Sequence, residues 1–360
     1  MSEAVIDDIV AVLPPLLNAL EALGFFQRQL HPPAFASVMN AIGAPDEALQ
    51  TTHAAIGAWP EQFAGLRDRL DRACGETLAA FAGIREVERG NGDLVAVFRA
   101  LRHVPRAQEA LYPLSLQFPP VSSFFLDTAN RDNADLLSRL EIGASEDTGI
   151  FHDHNEPGSR GGFSVYVPEY YTPERAMPLV MALHGGSGNG RGFLWSWLRD
   201  ARSLGVILVA PTATGPTWAL MGDDADTPNL MRILETVRRR WSIDSSRLLL
   251  TGMSDGGTFS YVSGLDGGSP FTHLAPVSAT FHPLMVEMAD ATRLRGLPIF
   301  ITHGKLDWMF PVQTARQTQA ALAAAGADVT YREIDDLSHT YPREINAELV
   351  HWLNGEQTRS

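Results

Sequence analysis

A serine hydroxyl becomes a useful nucleophile only when a base takes its proton and the chain presents it to a substrate. The segment Gly252-Met253-Ser254-Asp255-Gly256-Gly257 has the composition to do the presenting. The apolar run Arg247-Leu248-Leu249-Leu250-Thr251 before it reads as a buried strand, and Thr258-Phe259-Ser260-Tyr261-Val262 after it reads as a helix. A strand that turns sharply into a helix through Gly-x-Ser-x-Gly strains the serine and lifts its hydroxyl above the sheet, and the glycines leave room for the turn. An ordinary turn before a helix is the competing reading; the strand and helix on either side favour the strained one.

Such a serine predicts a histidine base further along the chain and a carboxylate to orient it. After an apolar run at 299–302 comes His303-Gly304-Lys305-Leu306-Asp307, and after a run at 329–333 comes Asp335-Asp336-Leu337-Ser338-His339. The order Ser254, Asp307, His339 suits a sheet in which the acid and the histidine project from loops after different strands. Asp335 and Asp336 lie closer to His339 in sequence, but Asp307 occupies the loop position expected of the acid.

A tetrahedral intermediate also needs donors for its oxyanion. The run Leu179–Leu183 leads directly into His184-Gly185-Gly186-Ser187-Gly188-Asn189-Gly190. The expected donors are the backbone N–H of Gly186 and that of Asp255, the residue after the nucleophile. A phosphate-binding loop would use similar glycines, but the Lys-Ser/Thr ending of that motif is missing. His184 is expected to brace this loop.

These residues need a framework of strand ends. From residue 163 onward apolar runs alternate with helical patterns: strands at 163–167, 179–183, 206–210, 248–251, 274–277, 299–302 and 329–333, with helices at 194–203 and 228–241. Thr227 as N-cap and Pro228 at the first helical position mark one helix start, near Asp223, Asp224 and Asp226 at the positive end of the helix dipole. The alternation predicts an α/β domain with a doubly wound, mostly parallel sheet. The first half is different. Ile6, Ile9, Val10, Leu13, Leu16, Leu17, Leu20 and Leu23 recur at three- and four-residue steps, and further helical patterns follow at 61–81, 94–103 and 133–140. The polar, turn-forming stretch 146–162 reads as a linker, giving an all-α N-terminal domain over 1–150 and a catalytic domain over 151–360.

From about Gly162 to Leu353 the chain resembles α/β-hydrolase esterases, in particular the phospholipase/carboxylesterase group and its polyhydroxybutyrate-depolymerase-like and feruloyl-esterase relatives. The resemblance rests on Leu183-His184-Gly185-Gly186, Gly252-Met253-Ser254-Asp255-Gly256-Gly257, His303-Gly304 with Asp307, and Ser338-His339-Thr340. It implies the α/β-hydrolase fold and a serine carboxylesterase that works through an acyl-enzyme, on short-chain acyl or aryl esters. A thioesterase or small-peptide hydrolase is the alternative, since the same triad serves all three. A further alternative is a weakly active hydrolase domain beside a partner-binding helical module. Two features depart from the group: the large helical N-terminal half, expected as a cap or as a homo-oligomerisation surface, and Asp255. The Asp255 carboxylate either turns inward, where it disfavours anionic acyl groups, or turns away toward its helix.

Trp218, His282 and Trp308 follow strand ends and are the tentative pocket residues, with Phe281, Met309 and Phe310 beside them. Ordinary packing is the competing reading for each. His152-Asp153-His154 with Glu156 has metal-ligand chemistry but sits in the presumed linker, so no metal and no organic cofactor are expected. The 360 residues carry 28 basic and 42 acidic side chains, a net charge of -14, which argues against nucleic acid or an anionic membrane as partner. No apolar run approaches the length needed to span a membrane, and Pro14-Pro15 interrupts the first apolar stretch, which argues against a secretory signal. The acidic N-terminus lacks the pattern of a secretory signal. With the lone Cys74, this predicts a cytoplasmic protein.

Overall fold

In a computed structural model that describes residues 3–90, 93–141, 143 and 145–356, the chain forms two compact units, Met1–Asp132 and Asn133–Ser360. The described residues of the first unit contain only helical secondary structure. Its longest helix, Glu3–Gln29, buries Val5, Ile9, Val12, Leu13, Leu16, Leu20, Leu23 and Phe26 on one face and runs straight through Pro14 and Pro15. Those prolines remove the hydrogen bonds to the carbonyls of Val10 and Ala11. Val10 and Ala11 lie on the exposed face, where water can take over the carbonyls. The helix is therefore uninterrupted, and by length and composition it is apolar enough to cross a membrane, contrary to the sequence expectation.

The second unit is built on one eight-stranded sheet: β1 (Gly149–Asp153), β2 (Phe163–Val167), β3 (Met177–Leu183), β4 (Ile207–Pro211), β5 (Ile243–Met253), β6 (His273–Val277), β7 (Pro298–Gly304) and β8 (Asp328–Ile334). The spatial order is β1-β2-β4-β3-β5-β6-β7-β8. β1 and β2 are antiparallel to their neighbours, and the strands from β4 through β8 run parallel. β3 (MPLVMAL) is buried along its whole length, as a central parallel strand covered on both faces must be. β8, at the edge, alternates between exposed and partly buried residues. The helix Asp226–Arg240 turns Leu230, Ile233, Leu234 and Val237 inward at helical spacing, and these join the main core of the sheet.

Local differences from the sequence reading have identifiable causes. The stretch read as a linker contains β1, paired with β2 from Gly149↔Val167 to Asp153↔Phe163. Asp147 is tied down by Trp241, whose indole N–H donates to its carbonyl at 2.8 Å. The helix Ala134–Glu141 falls in the second unit, where the Arg139 guanidinium stacks 4.5 Å from the Tyr170 ring centre. The helix expected to begin at Pro228 after an N-cap Thr227 begins at Asp226. Asp224 Oδ1 takes the N–H groups of Asp226 (3.0 Å) and Thr227 (2.8 Å), and so does the capping assigned to Thr227.

Candidate active site

The parallel register brings four strand ends to one edge. Leu183 lies beside Gly252, Met253 beside Val277, Val277 beside Thr302, and Gly304 beside Ile334. The loops after β3, β5, β7 and β8 therefore emerge together, carrying Gly186, Ser254, Asp307 and His339.

Ser254 sits between β5 and the helix Asp255–Gly264 with φ 55 and ψ -119. A non-glycine residue with this backbone is strained, and the neighbours hold it there. Its N–H donates to the Val277 carbonyl at 2.9 Å, and its carbonyl accepts from Thr258 N–H at 2.8 Å, starting the helix. The turn packs against the end of β3 so tightly that a Cβ on Gly256 would lie 2.5 Å from the Leu183 and His184 carbonyl oxygens. Only glycine fits there.

His339 bridges the other two groups, with Nε2 3.0 Å from Ser254 Oγ and Nδ1 2.9 Å from Asp307 Oδ2. Asp307 Oδ1 accepts the N–H groups of Met309 (2.9 Å) and Phe310 (2.8 Å), which fixes the carboxylate plane. Burial alone would raise the Asp307 pKa, but the hydrogen bonds from His339 and the Phe310 N–H, with the nearby His339 and His303 rings, hold it below the ordinary value. An ionised Asp307 requires the proton on His339 Nδ1, leaving the Nε2 lone pair for the serine hydroxyl. The Phe310 ring stands edge-on to His339 at 5.2 Å, and Trp308 lies 6.3 Å away. Asp335, the rival acid, is solvent-facing and pairs with Lys305 at 3.3 Å.

The loop after β3 is braced from beneath. His184 Nε2 accepts the Ala213 N–H at 3.1 Å, so Nδ1 carries the proton and donates to the Gly185 carbonyl at 2.7 Å. Burial pushes this imidazole down to about pKa 4. The helix beginning at Asp255 leaves that residue's N–H without an intrahelical acceptor, beside Ser254. Gly186 lies next to the same residue: a Cβ placed on it would come 2.9 Å from Asp255 Oδ2. Gly186 and Asp255, the residues expected to supply the oxyanion donors, thus adjoin one another.

The tentative pocket residues separate. Trp218 is 2% exposed: its ring stacks on Phe259 at 5.3 Å, and its Nε1–H donates to the His184 carbonyl at 2.7 Å. It supports the loop from below. Trp308 is 45% exposed beside His339. His282 is exposed and uses Nδ1 to accept the Leu284 N–H at 3.2 Å. Among the described residues no three His, Cys, Asp or Glu side chains gather as metal ligands; His152 bonds Ser164 Oγ at 2.8 Å instead.

The supporting roles of three residues escaped the sequence reading. His303 Nε2–H donates to the Phe310 carbonyl at 2.8 Å and lies 3.5 Å from Asp307 Oδ2, closing the turn that carries the acid. Thr217 donates its hydroxyl proton to Asp255 Oδ2 at 2.5 Å. Asp226, read only as a complement to the helix dipole, is buried, and its two oxygens take the N–H groups of Thr214 (2.7 Å) and Ala219 (2.8 Å). The only hint in the sequence was the acidic cluster 223–226 just after the loop.

Residues 223–354, which hold Ser254, Asp307 and His339, match the family described as Phospholipase/Carboxylesterase. Over 156 residues, 42% of this chain, the sequence is 31% identical to a bifunctional acetylxylan esterase/xylanase of Neocallimastix patriciarum. The chain spans only 22% of that relative's length. Among solved structures, a ferulic acid esterase is 16% identical with a TM-score of 0.48, over 57% of this chain and 96% of that one. A thermostable esterase is 20% identical with a TM-score of 0.47, over 59% of this chain and 64% of the other. Residues 223–354, with Ser254, Asp307 and His339 inside that span, thus carry a phospholipase/carboxylesterase-type α/β-hydrolase domain.

Proposed function

We propose that the protein hydrolyses carboxylic esters, with short-chain acyl or aryl esters as substrates, through an acyl-enzyme on Ser254. One observation carries this reading: His339 lies 3.0 Å from Ser254 Oγ and 2.9 Å from Asp307 at the strand-end edge of the sheet. Ser254 Oγ attacks the acyl carbon as its proton passes to His339 Nε2, and Asp307 stabilises the imidazolium. The carbonyl oxygen, now an alkoxide, takes the N–H groups of Gly186 and Asp255. Collapse of the intermediate expels the alcohol, which receives the proton from His339. Water, activated by the same ring, then attacks the acyl-enzyme and releases the acid. Trp308, nearly half exposed beside the base, and its exposed neighbour in the chain Met309 supply an apolar wall suited to small acyl or aryl groups.

The test is hydrolysis of p-nitrophenyl esters from acetate to dodecanoate by the wild type and Ser254→Ala. Turnover that peaks at short chains and vanishes in the variant supports the reading. Turnover retained by Ser254→Ala refutes it, and turnover of acyl thioesters in preference to oxygen esters replaces it with a thioesterase.

A further inference from the structure

We propose that Asp255 is a specificity-determining residue whose carboxylate, fixed against the oxyanion loop by Thr217, selects against esters with a negatively charged acyl part. The inference rests on the hydrolase reading above. A residue directly after a nucleophile contributes its N–H whichever way its side chain points, so the question is where the carboxylate lies. Thr217 decides it. An ionised carboxylate only accepts hydrogen bonds, so the 2.5 Å contact between Thr217 Oγ1 and Asp255 Oδ2 has the threonine as donor. The same oxygen occupies the space a side chain at residue 186 would need, at 2.9 Å from a Cβ placed there. Gly186 therefore makes room for the carboxylate as well as supplying an N–H.

The threonine is held on both sides. Buried Asp226 takes the N–H groups of Thr214 and Ala219, and the Trp218 indole N–H is bonded to the His184 carbonyl. The loop 214–219 is thus tied both to the helix Asp226–Arg240 and to the strand end that carries the glycines. Among the described residues no cation lies within ion-pair distance of Asp255. Arg160 serves the same loop, donating to the Gly188 carbonyl at 2.9 Å, but it is exposed and screened by solvent.

A carboxylate with no cation paired to it repels a second anion about 7 Å away strongly enough to lower its productive binding by roughly tenfold at low salt. It also opposes the developing oxyanion, so its removal alters turnover of every ester. The ratio between substrates, not the rate on one of them, carries the information.

The experiment compares p-nitrophenyl hexanoate with mono-p-nitrophenyl adipate, acyl chains of equal length without and with a terminal carboxylate. The kcat/KM ratio is measured for wild type, Asp255→Asn and Thr217→Val, with folding checked by thermal melting. Wild type is expected to favour the hexanoate. Asp255→Asn should narrow that preference by about tenfold, and Thr217→Val, which keeps the charge but frees it, should narrow it by less. Raising ionic strength to 1 M should narrow the wild-type ratio and leave that of Asp255→Asn in place. An unchanged ratio in Asp255→Asn overturns the proposal, as does a wild type that prefers the adipate; if Asp255→Asn fails to fold, Thr217→Val and the salt series decide. Absence of turnover on both esters defeats the hydrolase reading and this inference with it. Turnover with an unmoved ratio defeats only the inference.

Discussion

Replacing Asp307 with asparagine tests the proton relay most directly, because the geometry dictates how the amide must sit. The carboxylate accepts three hydrogen bonds, two on Oδ1 from the Met309 and Phe310 N–H groups and one on Oδ2 from His339 Nδ1. An amide offers one oxygen and one NH2. At about 1 kcal/mol of net stabilisation per neutral hydrogen bond, the orientation that keeps both backbone bonds wins, and the NH2 faces His339. Nδ1 must then accept, so the ring proton moves to Nε2 and points at Ser254 Oγ. The base is lost while the serine, the ring and the loop stay in place. Such a tautomer reversal lowers kcat on the order of 10⁴-fold, about 5 kcal/mol of transition-state stabilisation. Stability should fall by only about 1 kcal/mol, since the two backbone bonds survive and the third becomes a neutral bond from the amide NH2 to Nδ1. Steady-state hydrolysis of p-nitrophenyl butyrate, with thermal melts run in parallel, measures both. A loss of kcat below about tenfold with Ser254→Ala inactive would show that His339 does not depend on Asp307 for its tautomer, and would refute the reasoning.

Other positions give independent checks. Gly256→Ala forces a Cβ against two backbone carbonyl oxygens at 2.5 Å, and should cost at least about 2 kcal/mol in denaturant unfolding as well as activity. The His184 imidazole, pushed down to about pKa 4 by burial, stays neutral in the folded chain while the unfolded chain takes up a proton near 6.5. Its contribution is intact above pH 6.5 and is lost as pH falls toward 4, so wild type should lose about 2 kcal/mol more between pH 7 and pH 5 than His184→Gln. Equal pH slopes for the two proteins would remove this account of the loop brace. Trp308→Ala, at an exposed site, should raise KM for aryl esters about three- to tenfold with little change in melting temperature. Trp218→Ala, buried on Phe259, should instead cost about 3–5 kcal/mol of stability.

Much of this site could be read in advance because each chemical group lies at the end of an apolar run. The strands at 163–167, 179–183 and 299–302 were legible from continuous burial, and with them the loops that carry Gly186 and Asp307. β1 was not. Its five residues include a glycine, a histidine and an aspartate on an edge strand, and the two apolar residues left are too short a run to signal a strand. The helix Glu3–Gln29 was legible from its three- and four-residue spacing; its unbroken length was not, because two prolines normally end a helix and here they fall where the freed carbonyls face outward. The supporting roles were illegible as well, because Thr217, Asp226 and His303 act through polar contacts with no periodicity.

Order and residue type along the chain were enough to name Ser254, Asp307 and His339, since a parallel sheet sends every strand's following loop to the same edge. The chain order could not say which way the Asp255 carboxylate turned, or whether Trp218 lined the cleft or lay beneath it. The partners that fix Asp255 are Thr217, 38 residues distant, and the open space at Gly186, so its orientation exists only once these segments meet in the folded protein.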